Sequence, residues 1–499
     1  MKLNINDVLS EGYVKGKIVS FKYQENSDEV LSKGREIEKL DIAIGKTKTQ
    51  LEKMIISNRD LEDYINVLIL IATDPELKRN CESRIKIGLS AKASLYDVMN
   101  KTNSEIMKST SSYLRERVAD VSDVLLRIAS NIDSNSVYQT NDKFILRSEE
   151  LYPSFLIQKR DSILGVIVDR GGFTSHAAIM CRSFDIPLVI SDCNINNNDV
   201  VIIDTRKRLI NINPSKEEIE EFDIEFEKRN SFPKYAIKHD GFQFLANIST
   251  NYEIDKVLEY GFDGVGLYRT ELIFMNSDRP YTFDEQFIIY SEAANKLKNK
   301  SIVFRTFDVG DDKNLVYLNT SNKGIDNYIN NQEIFENQVK AILKSNVNNN
   351  VSIMFPMIRN YNDFKYLRKW VLRICKKEKY NKPKIGMMLE TKDALESIKR
   401  FKHVDFISVG TNDLTKDLYG IDRLSALNDI SYVDDLIKRL DVVIKYAMKK
   451  NVKLSICGEL AGIKDVAVLF FKAGIKNLSV SPSLIRILNM SLEEYNGKS

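Results

Sequence analysis

The sequence predicts a multidomain α/β protein, in which a small α/β domain carries an all-α insertion and is followed by a (β/α)8 barrel of the TIM type. Three observations support this fold class. Short apolar runs bounded by turn residues open the chain and return near residue 142. Between them, apolar residues recur at helical spacing and glycine is sparse. In the second half, apolar strands alternate with amphipathic helical segments.

Residues 1–26 and 133–214 are predicted to form the α/β domain, and residues 27–132 the helical subdomain between its two parts. The helical periodicity is clearest in the apolar residues of 61–69. Thr73–Glu76 is typical of a helix start, because its proline stands at an early helical position.

A charged stretch, residues 215–232, is predicted to be a solvated linker helix, and residues 233–499 the barrel. An asparagine-rich tract, Asn346–Asn350, is predicted to be a surface loop. Eight apolar strands recur in roughly 265 residues, the length expected of such a barrel. They lie near Phe244–Ile248, Gly264–Leu267, Ile302–Phe307, Val351–Met357, Ile385–Leu389, Phe406–Val409, Leu454–Cys457 and Leu478–Val480.

The composition excludes several classes of protein. Of the 499 residues, 43% are hydrophobic and 29% charged, which is typical of a globular chain. The 73 basic and 70 acidic residues nearly balance, so we expect no nucleic-acid partner. The longest apolar run, Ile65–Ala72, is too short to span a bilayer, so we expect no membrane partner. Met1–Asn4 opens no signal peptide and the five cysteines are scattered, which predicts a cytoplasmic location.

Polar residues cluster where the predicted barrel strands end, which is where active sites of such barrels lie. Arg269 and Arg305 can each hold phosphate or carboxylate oxygens through paired hydrogen bonds. Glu390 and Asp413 offer hard oxygen ligands suited to Mg²⁺. The pattern predicts an anion site with a divalent metal. For any one of these residues, the alternative is a salt bridge at the barrel rim.

A second signal is the segment Gly171–Ile179, which follows a predicted strand and opens a helix. Its glycines allow close backbone approach, and Thr174 or Ser175 can cap the helix. His176 then lies where free backbone N–H groups and the helix dipole attract an anion. A histidine so placed could carry a phosphoryl group. The alternative is a structural histidine beside a helix cap.

Six segments carry a resemblance to a known family. Gly171–Arg182 is similar to a phosphohistidine motif, and Gly264–Glu271, Gly410–Thr415 and Cys457–Gly462 are similar to barrel motifs. Asp74–Leu77 and Tyr113–Val121 are similar to segments of a partner-binding helical domain. Over nearly its whole length, the chain resembles the enzyme I family of the bacterial phosphoenolpyruvate-dependent sugar phosphotransferase system. The resemblance makes the α/β domain a swivelling phosphohistidine domain.

The resemblance implies a phosphotransferase mechanism. Phosphoenolpyruvate would bind at the barrel mouth, with Mg²⁺ held by Glu390 and Asp413. His176 would attack the phosphorus, giving phosphohistidine and pyruvate enolate, and Cys457 would protonate the enolate carbon. The substrate would be held by a set of cationic and polar residues, namely Arg269, Arg305, Arg423, Lys313, Lys323, Asn412 and Asp413.

The resemblance also implies two protein partners. The helical subdomain 27–132 would dock HPr, the small phosphocarrier protein that receives the phosphate from His176. Carrying the phosphate there requires a large domain swing, for which Ser215–Arg229 is the predicted connector. A second copy of the chain would bind through the barrel to give a homodimer.

The sequence departs from the family pattern in the loop after the third barrel strand. Asp311 stands where the family has a second glycine, and a carboxylate beside a bound phosphate is expected to weaken binding. The loop is short, and its residue best aligned with an active-site arginine is Lys323, which cannot form the bidentate fork. Asp326 stands where a second arginine is common. These changes predict effects on rate and affinity more than on fold.

Two other functions are compatible with parts of the pattern. A phosphohistidine swivel enzyme such as pyruvate phosphate dikinase needs an ATP-binding domain before its histidine domain, and the residues preceding His176 are too few and too helical. A catalytically impaired relative would retain HPr docking as a regulatory protein. The presence of His176, Cys457 and both predicted metal carboxylates argues against it.

Overall fold

A computed structural model describes residues 1–20, 30–57, 61–107, 112–132, 142–172, 175–275, 279–308, 317–318, 324–421, 426 and 430–497. The chain divides into two units, Met1–Glu218 and Ile219–Ser499. Each is described by itself.

The first unit is built on a mixed sheet of eight described strands, which come from both sides of a helical insertion. The strands are β1 (Lys2–Asn4), β2 (Asp7–Ser10), β3 (Tyr13–Ser20), β4 (Phe144–Ser148), β5 (Ile163–Val168), β6 (Leu188–Ile190), β7 (Val200–Asp204) and β8 (Leu209–Ile212). Their order is β1-β8-β7-β3-β4-β5-β6-β2. Strands β3 to β6 are parallel, whereas the other neighbours pair antiparallel.

The insertion consists of five described helices between β3 and β4, which confirms the predicted all-α insertion. They are α1 (Lys33–Ser57), α2 (Glu62–Ala72), α3 (Pro75–Lys86), α4 (Ala91–Met107) and α5 (Ser112–Ile132). The predicted helix start is confirmed at α3, where the Asp74 carboxylate accepts the Glu76 N–H at 2.8 Å and Pro75 takes the first helical position. Two further helices, α6 (Pro153–Lys159) and α7 (His176–Phe184), follow β4 and β5.

Helix α8 (Lys216–Asn230) runs across the boundary between the two units. It begins with the acidic Glu217 and Glu218 and ends with Lys228 and Arg229, an arrangement that favours a helix through its dipole. Its one fully buried residue is Phe222, so most of its surface is solvated, as the charged sequence predicts.

The second unit is a closed parallel barrel of eight described strands, which confirms the predicted fold. The strands are β9 (Gln243–Ile248), β10 (Gly264–Arg269), β11 (Ser301–Arg305), β12 (Val351–Phe355), β13 (Lys384–Leu389), β14 (Phe406–Val409), β15 (Lys453–Ile456) and β16 (Asn477–Val480). The helices outside them are α9 (Ile254–Glu259), α10 (Glu271–Met275), α11 (Phe283–Lys296), α12 (Ile325–Asn330), α13 (Gln332–Ser345), α14 (Tyr361–Glu378), α15 (Lys392–Ser397), α16 (Thr411–Tyr419), α17 (Val433–Lys450), α18 (Lys464–Lys472) and α19 (Ile485–Tyr495).

The alternation of side chains along the barrel strands explains which residues reach the site. In β13, Met387 and Leu389 pack outward in the main core beneath the helices, whereas Met388 packs in a separate inner cluster with Cys457 and Met354. Since the strand period is two, Glu390 continues the inner row. The same parity places Arg305 above the inner residue Val303 of β11.

Two details of the fold bear on the sequence predictions. The prediction of a surface loop at Asn346–Asn350 is partly wrong, because Asn346 is buried and its side chain accepts the Val351 N–H at 3.0 Å.

Among the described helices, none combines the length and the apolar character needed to cross a membrane.

Candidate functional site

The carboxyl ends of β10 and β11 bring two arginines together. Arg269 and Arg305 end these strands and are paired in their parallel register. The charges of both act on the buried thiol of Cys457, at the end of β15, and partly oppose the rise in its pKa that burial causes. Two guanidinium groups at neighbouring strand ends make this part of the barrel suited to a phosphate or carboxylate.

Arg305 is held by carboxylates at the barrel mouth. Its Nε and Nη2 lie 3.1 and 3.0 Å from Glu271 Oε1, and its Nη1 lies 3.7 Å from Asp308 Oδ2. Burial acts to lower the pKa of Arg305, but the charges of Glu271, Asp308 and Glu390 outweigh it and raise the pKa. The guanidinium is therefore a permanent buried cation, with 11% of its side chain exposed.

Glu390, which follows β13, is a buried carboxylate with unfilled hydrogen-bonding capacity. Its Oε1 accepts the Met357 N–H at 2.5 Å, while its Oε2 has no hydrogen-bond partner among the described residues. Burial raises its pKa to about 8, and the charge of Asp308 acts in the same direction. A cation at Oε2 would supply the missing partner and offset the neighbouring negative charges, so this residue fits the predicted magnesium site.

Asn412 and Asp413 lie in the first turn of α16, directly after β14. Asp413 is exposed, and its charge raises the pKa of Glu390, so the two carboxylates predicted to hold metal do lie near each other. Asn412 Oδ1 accepts the Glu459 N–H at 3.1 Å, which ties this turn to the end of β15. In the described part of the chain, no group of three or more His, Cys, Asp or Glu side chains is arranged to hold a metal.

Cys457 lies at the floor of this site. Its thiol points to the Val409 carbonyl oxygen, 3.5 Å from Sγ, and only 2% of the residue is exposed. Burial raises its pKa to about 11, so the sulfur carries a proton at neutral pH. A protonated thiol in a dry site can donate a proton to a developing carbanion or enolate.

His176 is the first residue of α7, at the end of the β5–α7 connection in the first unit. Ser175 is the N-cap, and its side chain accepts the Ala178 N–H at 3.2 Å. The Thr174 alternative lies outside the described residues. About 36% of the His176 side chain is exposed, so the imidazole is accessible and its helix is anchored by the buried residues that follow.

Several predicted residues cannot be placed. Lys313, Lys323 and Arg423 lie outside the described residues, as does Asp311. Asp326, which stands where the family commonly has an arginine, is described: its Oδ2 lies 3.3 Å from Arg359 Nη2. Arg359 also donates from Nε to Asp363 Oδ2 at 3.1 Å.

Sequence reasoning missed the surroundings of the predicted nucleophile. The Tyr64 ring packs 4.7 Å from the His176 ring, between centroids, and Asp120 Oδ1 lies 3.7 Å from His176 Nδ1. Asp120 stands in Tyr113–Val121, a segment interpreted above as part of the partner-binding domain. Its position in that segment was the only feature of the sequence that could have pointed to Asp120. The contact itself joins helices that are distant in sequence.

Comparison with known proteins decides the family. Residues 225–496 match the model of the PEP-utilising enzyme, PEP-binding domain, which is more than half of the chain. The chain belongs to the PEP-utilising enzyme family. Residues 140–208 match the mobile domain of this family, and residues 8–117 its N-terminal domain.

Curated relatives match along almost the whole chain. The phosphoenolpyruvate-protein phosphotransferase of Bacillus subtilis is 30% identical, over 92% of this chain and 89% of its own length. That of Mycoplasma capricolum is 31% identical, over 90% of this chain and 86% of its own length. A solution structure of an Enzyme I protein is 26% identical and covers 46% of this chain and 100% of its own, with a TM-score of 0.37. The predicted resemblance to enzyme I is confirmed by the family and the curated relatives.

Proposed function

We propose that this protein transfers the phosphoryl group of phosphoenolpyruvate to His176 and then to the phosphocarrier protein HPr, releasing pyruvate. This is the first step of sugar uptake by the phosphotransferase system. One combination of features supports the proposal. The chain is similar to phosphoenolpyruvate-protein phosphotransferases over more than nine-tenths of its length. It also has an accessible His176 at a capped helix start and a buried Arg305–Glu390 cluster at a barrel mouth.

The chemical step is an in-line displacement at phosphorus. The imidazole of His176 forms the new N–P bond as the bond from phosphorus to the enol oxygen breaks, leaving pyruvate enolate. Such transfers depend mainly on positioning and on neutralising charge. Arg305 is suited to this role because it remains charged in a buried setting, and Arg269 stands beside it in the sheet register.

The proposed substrate site includes further residues. Asn412 is held by the Glu459 backbone and would present its side chain at the same mouth. Lys313, Lys323, Arg423 and Asp413 are proposed from the family resemblance to complete the site. Arg359, in the loop after the fourth barrel strand, lies beside Asp326 and so brings a guanidinium near the position where the family commonly has an arginine.

We propose Mg²⁺ as the cofactor, held by Glu390 and Asp413. The unpartnered Glu390 Oε2 and the nearby Asp413 charge support this assignment. Two protein carboxylates are a usual set for Mg²⁺, which takes its other ligands from water and phosphate oxygens. When bound, the ion would neutralise charge on the phosphoryl oxygens.

Cys457 is the proposed proton donor to the enolate carbon. Its thiol proton would move to that carbon, giving the methyl group of pyruvate, and the thiolate would recover a proton from water afterwards. The pKa of about 11 keeps the donor protonated at neutral pH.

One imidazole must serve two partners in this reaction, so its domain has to move. We propose that residues 27–132 dock HPr, that 1–26 with 133–214 form the phosphohistidine domain, and that residues 215–232 connect them to the barrel 233–499. The solvated helix α8 supports the connector role. Cross-linking α8 to the phosphohistidine domain or to the barrel tests these boundaries and the motion. We expect either cross-link to abolish turnover.

We further propose a homodimer formed through the barrel and a cytoplasmic location. Exposed apolar side chains on barrel helices, such as Ile288, Tyr366 and Met448, offer surface for a dimer. The five cysteines are all free, which is typical of a reducing compartment. Sedimentation of the purified protein tests the dimer.

The deciding experiment is incubation with phosphate-labelled phosphoenolpyruvate and Mg²⁺, with and without HPr of Bacillus subtilis. We expect acid-labile label on the wild-type chain, chased onto HPr, and none on His176→Ala. His403→Ala is the matched control and should label normally. Label on His176→Ala would identify a different acceptor. A folded wild-type protein that binds HPr but takes no label would favour the impaired, regulatory relative.

A further inference from the structure

The barrel has a cavity of about 210 Å³ at the end opposite to the proposed catalytic mouth. Its rim includes Ser301, Lys384 and Lys453, which are the first residues of β11, β13 and β15. The interiors of such barrels are usually filled by bulky branched side chains. Here the inner positions of two neighbouring strands are occupied by the small residues Gly266 and Ser352, and the space beside them is open.

Two lysines, Lys384 and Lys453, contribute positive charge to the cavity, and we call them the cavity lysines. Neither makes a hydrogen bond or an ion pair with any described residue. Burial, and next the charge of Lys384, lower the pKa of Lys453, whereas the charge of Asp263 acts in the opposite direction. Since the two ammonium groups repel each other, an anion bound in the cavity would stabilise both of them.

A serine hydroxyl in the buried part of the cavity lacks a partner. Ser352 is only 7% exposed, and its side chain makes no hydrogen bond with any described residue. A buried hydroxyl without a hydrogen bond costs free energy, so its partner must come from the cavity. Ser455, which also lines the cavity, differs in this respect because it donates to Ser408 Oγ at 3.1 Å.

The nearby carboxylates are held by other groups. Asp405, which lines the cavity, accepts the Ile385 N–H through Oδ2 at 2.8 Å. Asp263 accepts the Phe244 N–H at 2.8 Å, and its other oxygen lies 2.5 Å from Lys238 Nζ. Neither carboxylate forms an ion pair with the cavity lysines. The positive charge of the cavity is therefore available to a ligand.

We propose that this cavity binds a small anion that carries a phosphate group, held by the ammonium groups of the cavity lysines and the Ser352 hydroxyl. Lysine binds phosphate as a point charge, whereas recognition of a planar carboxylate favours the paired donors of arginine, and no described lining residue is an arginine. Leu245, Val303 and Phe406 form an apolar part of the wall. The volume and this apolar wall also suit a short carbon chain, so small phosphate monoesters belong to the proposed class.

The cavity is distinct from the proposed catalytic mouth. Val303 and Phe406 line the cavity, and both pack in the inner cluster that contains Met354, Met388 and Cys457. This cluster fills the barrel between the cavity and the mouth. The inference therefore goes beyond the proposed function and does not depend on it.

Equilibrium dialysis of the full-length protein tests the proposal. The probes are radiolabelled inorganic phosphate and, separately, radiolabelled glycerol 3-phosphate, at neutral pH and an ionic strength held constant with chloride. We expect Lys384→Met and Lys453→Met each to weaken binding about tenfold or more, the size of a lost hydrogen bond to a charged group. Ser352→Ala should weaken it about two- to tenfold, the size of a neutral hydrogen bond. Any phosphate bound at the catalytic mouth stays the same in all these variants.

The matched control is Lys445→Met, which removes the same charge from an exposed site on α17. Lys445 pairs with Asp441 on the surface of the barrel, with Nζ and Oδ2 2.5 Å apart, and its side chain is 74% exposed. We expect this variant to bind both probes as the wild type does. Tighter binding of glycerol 3-phosphate would assign the cavity to phosphate monoesters, and tighter binding of inorganic phosphate would assign it to the free ion.

Two results would overturn the proposal. One is wild-type affinity for both probes in Lys384→Met and Lys453→Met. The other is a loss in these variants that is no larger than the loss in Lys445→Met. Thermal unfolding without phosphate checks the fold, and Ser352→Ala keeps the test decisive if a lysine variant does not fold. A wild-type protein that takes no label from phosphoenolpyruvate would contradict the proposed function and leave the binding result at the cavity unchanged.

Discussion

The two units of this protein place the groups proposed to react in opposite environments. In the barrel, Arg305, Glu271 and Glu390 are buried together, and their mutual charges determine their ionisation. In the first unit, the proposed phosphoryl acceptor His176 is more than one-third exposed, whereas Asp120 and Tyr64 beside it are buried. A site that receives a small substrate can be dry, whereas a carrier must present its phosphate to another protein. We therefore expect a substitution of His176 to remove activity with little loss of stability. A substitution of Arg305 should reduce both.

The largest effect is expected at the carrier. His176→Ala should abolish phosphorylation while changing the free energy of unfolding by about 0.5 kcal/mol or less, because a part-exposed side chain is removed. Labelling and chemical denaturation of the same preparation measure both quantities. A large loss of stability would mean that His176 is a structural histidine, the alternative left open by the sequence.

The barrel should behave differently. Arg305→Met leaves Glu271, Asp308 and Glu390 without their buried cation, so we expect a loss of about 3–5 kcal/mol and a fall in kcat/KM of about 10²–10³-fold. Arg279→Met is the control, because Arg279 pairs with Glu285 on the surface of the same unit. It should change the free energy of unfolding far less than Arg305→Met does, because an exposed ion pair contributes little to stability. Equal losses in the two variants would contradict the distinction between buried and exposed charge.

Glu390→Gln separates metal binding from folding. In wild-type protein, Mg²⁺ at ten times its Kd should stabilise the barrel by about 1.4 kcal/mol, and this gain should vanish in the variant. Without metal the variant should be no less stable than wild type, since burial of the Glu390 carboxylate already raises its pKa to about 8. Thermal unfolding with and without Mg²⁺ measures both, with the exposed Glu396→Gln as control. A Mg²⁺ gain that persists in Glu390→Gln would exclude this residue as a ligand.

The smallest effect is expected at a surface charge. Hydrogen bonds from Arg279, and next from the Thr282 backbone, lower the pKa of Glu285 to about 2. Because the folded pKa lies below the unfolded value of 4.5, the stabilisation is present at neutral pH and is lost as the pH falls toward 2. Glu285→Gln should cost about 1 kcal/mol or less at pH 7. The difference from wild type should shrink on acidification, and a difference independent of pH would contradict the assignment.

Local pattern was sufficient to predict much of this molecule. Each of the eight barrel strands was predicted to within a few residues. This was possible because the apolar run that indicates a strand lies within a few consecutive residues. The Ser175 cap could be predicted for the same reason, since a cap and its helix are adjacent in sequence. The positions of Arg305 and Glu390 at strand ends followed from the barrel rule.

Contacts between distant segments could be decided only by the tertiary structure. Asp120 and Tyr64 reach His176 because three helices pack together, and nothing in the sequence around residue 176 specifies their approach. The Asp326–Arg359 pair and the burial of Asn346 depend likewise on which loops and helices meet. Periodicity determines the face on which a residue lies, but burial and neighbouring charge, which set the pKa of Glu390 and of Cys457, are properties of the packed chain.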